Sequence, residues 1–243
     1  MGETSSLPAV FQWTLPGRFV VFALSATSIW CLLAEFYGLC SMRTFTFFVL
    51  FPATLALVAI ALADRARGDR RLWRACAIGA IGGFLAAVAY DLFRVPFVWA
   101  AVDQTGPAWL RLPLFKVFPR FGALILGEPF GPTTTDSQFT LAAHLVGWTY
   151  HFSNGVTFGV MYMALIGDAT RRTWWWAVAV AVFLELAMLF TPYTRFFGIN
   201  ASTRFVVVTL TAHVIFGVAL GLYSRRAARQ TERPTLIRPL AAM

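Results

Sequence analysis

The chain has 243 residues, of which 58% are hydrophobic and 13% charged, with a mean hydropathy of +0.68, and this leaves too little polar surface to cover a water-soluble globule of that size. A net charge of +9 would suit nucleic acid, but the basic residues sit in short connections between apolar runs and not along one face, so no nucleic-acid partner is expected and the charge reads as membrane topology. Lys116 is the single lysine among 20 basic residues, which argues against a retinal-type Schiff base on a membrane-embedded amine.

Apolar runs of about twenty residues match the helix that crosses roughly 30 Å of hydrocarbon, so the lipid bilayer is the first partner. The first run, about 18–40, follows no basic n-region, so it is expected to be retained and not cleaved as a signal peptide, although Ala23-Leu24-Ser25 resembles a small-residue cleavage site. It carries Glu35, and a second run covers about 44–63. The connection DRARGDRRLWR then supplies Arg65, Arg67, Arg70, Arg71 and Arg74, the strongest orientation signal in the chain, and is predicted to be cytoplasmic. The third span, about 75–101, holds Gly79, Gly83, Ala87 and Asp91 at every fourth position, with Arg94 on the next turn.

Residues 102–140 form the one long connection. Pro107, Pro113, Pro119, Pro129 and Pro132 forbid a continuous span there, yet AWLRLPLFKVFPRFGALIL sets bulky apolar residues between Arg111, Lys116 and Arg120. An interfacial or re-entrant periplasmic element is predicted. Thr135 with Gln138 has the form of a capping box opening the fourth span, about 141–167, which carries His144, His151 and Asn154. The fifth span, about 173–193, begins with Trp174, Trp175 and Trp176 as interfacial anchors and continues with Ala177, Ala181 and Glu185. The sixth, about 203–224, carries His213 and runs into a basic tail, 225–243, expected in the cytoplasm. Cys31, Cys40 and Cys76 lack metal or redox spacing and read as small helix residues.

The predicted fold is all-α: a single polytopic transmembrane helical bundle over 1–243 with about six spans and both termini cytoplasmic. That arrangement leaves thirteen of the twenty basic residues inside, as the positive-inside rule asks.

A short internal repeat surrounds two histidines: His151-x3-Gly155-Val156-x2-Gly159 and His213-x3-Gly217-Val218-x2-Gly221. Positions i, i+4 and i+8 share a helix face, so each histidine lies on a small-residue packing stripe, as do Asp91 and Glu185 on theirs. Gly79, Gly83, Gly155, Gly159, Gly217 and Gly221 are the predicted packing residues. Depth along the helices places His151, Glu185 and His213 near the midplane and Glu35, Asp91, Arg94 and His144 nearer the periplasmic face. With Asn154, these residues are expected to line a cavity open to the periplasm. Burying several ionisable groups at one level costs a few kcal/mol apiece, which favours a functional cluster over scattered structural bonds.

Three activities fit such a cluster. Proton or small-solute transport would use His151, His213 and Glu185 as a proton relay, with a homo-oligomer expected because six helices are few for alternating access. A membrane redox enzyme or sensor would use the same three as ligands for iron or zinc, or the two histidines for haem. A structural or assembly subunit would use the glycine stripes against partners in a membrane complex. No P-loop, dinucleotide fingerprint, H-E-x-x-H or nucleophile elbow is present. The H-x3-G-x3-G helix that ends near Tyr223, followed by a basic tail, resembles that of uncharacterised bacterial polytopic inner-membrane proteins. The resemblance implies a multi-pass protein of the bacterial inner membrane and no particular activity or cofactor.

Overall fold

A computed structural model describes residues 8–131 and 134–232; Pro132 and the tail residues Arg233 and Arg238 lie outside the described residues. The described chain is all-α and contains no strand. Its main helices are α1 (Leu15–Phe36), α2 (Met42–Arg67), α3 (Arg71–Val102), α4 (Val117–Leu126), α5 (Leu141–Ile166), α6 (Trp175–Leu189) and α7 (Thr203–Glu232). Of these, α1, α2, α3 and α7 are both long and apolar enough to cross a membrane.

The other two predicted spans differ for physical reasons. The 26-residue α5 has the length, but His144, His151, Ser153, Asn154 and Thr157 dilute its apolar character. It tolerates them because it is the central helix, packed against α1, α3 and α4. The 15-residue α6 reaches about 22 Å, short of the hydrocarbon thickness. It stops early because Pro192 disfavours helical backbone at Thr191, whose hydroxyl instead donates to the Met188 carbonyl at 2.6 Å.

Lipid-facing character is written on the outside. Phe47, Phe48 and Phe51 on α2 and Phe183 on α6 are all exposed, whereas the residues α6 buries are Ala177, Ala181 and Glu185. Within α2 a π-turn at Thr46–Leu50 precedes Pro52, absorbing the backbone bond that proline cannot donate.

Two carboxylates tie the α2–α3 connection, the first being Asp69, which accepts the Arg71 N–H at 3.0 Å. Arg70 takes a left-handed backbone (φ 64°) and gives α3 no side-chain cap. Asp64, fully buried, accepts the Trp73 backbone N–H at 2.9 Å instead. Asp64→Ala is expected to cost about 1–2 kcal/mol, the value of a helix cap, measured by reversible denaturation in mixed micelles.

The connection after α3 is also built, not loose. Leu112 N–H donates to the Phe97 carbonyl at 3.1 Å, and eight of the ten α4 residues are buried. The short helix sits against α5 with backbones touching: a Cβ on Gly122 would run into the Ala143 carbonyl, and one on Gly147 into that of Phe118. The short helix is therefore packed into the bundle. Gln138 does accept the Thr135 N–H at 2.7 Å, but this box closes a 3-10 turn. Thr140 caps α5, accepting from Ala143 N–H at 3.0 Å, because Phe139 between them is extended.

Candidate functional site

Two helix pairs build the site by the same rule. On α3, Gly79, Gly83, Ala87 and Asp91 form one stripe; on α5, His151, Gly155 and Gly159 form another. A Cβ added to Gly79 would stand 2.6 Å from the Gly159 carbonyl oxygen, and one on Gly155 would stand 2.7 Å from the Ala87 Cβ. The two helices thus meet backbone to backbone, antiparallel. That register carries Asp91 to His151, whose Nε2 lies 2.8 Å from Asp91 Oδ2. One turn on, an Arg94 Nη1 pairs with Asp91 Oδ1 at 3.3 Å, and its Nη2 donates to the Leu114 carbonyl.

The second pair repeats this construction. Ala177, Ala181 and Glu185 on α6 face His213, Gly217 and Gly221 on α7, and added Cβ atoms at the two glycines would run into Val178 and the Trp174 carbonyl. The register again sets a carboxylate opposite a histidine, with Glu185 Oε2 3.5 Å from His213 Nε2. His213 Nδ1 lies 2.9 Å from the Thr209 carbonyl, an acceptor only, so Nδ1 carries a hydrogen.

Tyr90 stands between the pairs. Its ring centroid is 6.1 Å from that of His151 and 5.0 Å from that of His213, and the Arg94 guanidinium covers its face at 4.6 Å. Phe118 of α4 stacks on His151 at 4.2 Å. All helices but α2 contribute to a cavity of about 570 Å³ at this level, lined by Arg94, His151, Asn154, Glu185 and His213 among others. The Asn154 side-chain oxygen is buried there without a hydrogen-bond partner. That volume falls in the range of small-molecule sites.

Some expectations are corrected by these positions. Glu35 and His144 do not line the cavity: the Glu35 carboxylate accepts the Met42 N–H at the start of α2, and His144 Nε2 lies 3.1 Å from the Asp136 carbonyl. Each serves a local turn. Asp91 does not line the cavity either; it stands behind His151, which it touches directly. His151, His213 and Glu185 do not gather as three ligands; among the described residues no group of three or more His, Cys, Asp and Glu side chains is placed to hold a metal. Each histidine has a carboxylate of its own, and Tyr90 fills the space a haem would need between them.

Several polar cavity residues were not anticipated in that role, Arg111 and Lys116 among them. Tyr90 and Tyr193 look like ordinary aromatic filling in sequence. Arg120 and Arg204 are signalled only by being charges inside or beside apolar runs. Gly122 and Gly147 extend the glycine stripes to α4, and the eight-residue step from Gly147 to Gly155 is the signal that would have found them. No family model, no curated protein and no solved structure matches the chain, so its reading rests on its own residues.

Proposed function

We propose that the chain is an integral membrane protein that crosses the bilayer six times and moves protons or a small solute through this cavity. The observation that carries the reading is the pair of carboxylate–histidine contacts, Asp91–His151 and Glu185–His213, built by two equivalent antiparallel helix pairs onto one cavity. Each pair sets a carboxylate against an imidazole within the membrane, the two group types that exchange protons in intramembrane relays. The helix directions are compatible with six crossings and with four: α3 runs antiparallel to α5 and to α7, and α6 antiparallel to α7. Arg65 to Arg74 at one end favour that end, and both termini, on the cytoplasmic side of a bacterial inner membrane.

Pyranine-loaded liposomes test the reading. Wild-type protein is expected to dissipate a pH step, and His213→Ala to slow this at least tenfold. Unchanged rates in His151→Ala, Glu185→Ala and His213→Ala, with loss of a native complex, would replace transport by an assembly role.

A further inference from the structure

The cavity holds more positive than negative charge, and one of its charges is stranded. Arg94 is matched by Asp91. Glu185, the one acidic side chain on the wall among the described residues, is held by His213. Arg120 is only 1% exposed, and among the described residues no carboxylate stands within ion-pair distance of it. Its Nη1 donates to the Phe197 carbonyl and its Nη2 approaches that of Thr134 at 3.5 Å, while its Nε is buried with no partner. The Phe130 ring centroid lies 5.9 Å from the guanidinium carbon, and Asp136 acts on the charge only from a distance. Carbonyl oxygens satisfy N–H groups but do not neutralise a guanidinium, and a buried charge without a counter-charge is costly.

The surroundings say what would neutralise it. Arg111, Lys116 and Arg204 also face the cavity, from the connections and the start of α7. Arg111 donates to the Thr105 and Gly106 carbonyls and Arg204 to that of Ala108, but none of the three has an ion pair among the described residues, which leaves the wall net positive. The rest of the wall is largely hydrocarbon, including Leu32, Leu33, Val117, Phe121, Leu184 and Phe205. A small hydrated anion would gain nothing from such walls. A guanidinium suits a carboxylate or phosphate head in fork geometry, and apolar walls suit a chain or ring.

We propose that the cavity binds an amphiphilic organic anion, its carboxylate or phosphate head on Arg120 and its apolar body against the hydrocarbon walls. This deepens the cavity reading above and rests on it only for the cavity, not for proton movement.

Radiolabelled dodecanoate and dodecyl phosphate, added to the protein in phosphatidylcholine nanodiscs, test it. Saturable binding of one or both is expected, with dodecanol at least tenfold weaker as a competitor and acetate and inorganic phosphate weaker still. Arg120→Gln is expected to weaken the anions at least tenfold and leave dodecanol unchanged; Arg120→Lys, which keeps the charge, should recover part of the loss. A purely structural tie through Arg120 would alter stability without altering the preference for anion over alcohol. Dodecanol binding as well as the anions, short anions competing as well as long ones, or an unaltered preference in folded Arg120→Gln would overturn the proposal. The wild-type competition series decides even if the variants do not fold. Wild-type protein that binds the anions but carries no protons removes proton movement and keeps this proposal, and the reverse result does the opposite.

Discussion

Asp91→Ala is expected to remove about 3–5 kcal/mol of stability, the cost of leaving a buried charge without its partner. Asp91 serves two groups at once: Arg94 Nη1 at 3.3 Å and His151 Nε2 at 2.8 Å. Arg94 is 4% exposed, so its charge has no ready route to water. Denaturation in mixed micelles should show the loss, and Arg94→Ala alone should show one of similar size. The double variant is the sharper measurement. If the pair matters chiefly by mutual neutralisation, removing both costs well below the sum of the single losses; additive losses would mean the two residues act independently.

The second large effect is steric. Gly83→Leu is expected to cost at least the upper part of the ~1–3 kcal/mol typical of overpacking, because the obstruction is backbone and cannot rotate away. A side chain at Gly83 would run into the Gly155 carbonyl and approach the Gly159 nitrogen to 3.0 Å. Gly131→Ala is the control, since nothing lies within 4 Å of an added Cβ there. Gly83→Leu should also slow proton flux beyond its effect on folded protein, because the same contact sets the Asp91–His151 register. Wild-type stability in Gly83→Leu would mean that α3 and α5 can separate freely, and the register explanation would fall.

The membrane class, the helix positions and the pairing residues were legible in the sequence because period-four stripes of small residues have few other uses in an apolar helix. Gly79, Gly83, Gly155, Gly159, Gly217 and Gly221 all sit where backbones touch. What the stripes could not reveal was which helix meets which. Sequence therefore grouped His151, His213 and Glu185 by depth, whereas the register groups Asp91 with His151 and Glu185 with His213. Depth is a property of one helix, and pairing is a property of two. Residues 102–140 were the hardest to read: their prolines exclude a span, but only the close approach of Gly122 and Gly147 places α4 inside the bundle. Arg120 stayed ambiguous for the same reason, since its acceptors at Thr134 and Phe197 are distant in sequence or set in an irregular connection.

The way α4 is held bears on how the protein is made. Its α5 neighbour emerges from the ribosome soon after it, but Phe197, which receives the Arg120 guanidinium, follows 77 residues behind that arginine. Until then Arg120 lacks one of its two carbonyl acceptors, and full docking of this short helix is expected only once Phe197 has been made. Chains cut short before Phe197 should therefore leave α4 more open to protease than the full chain does.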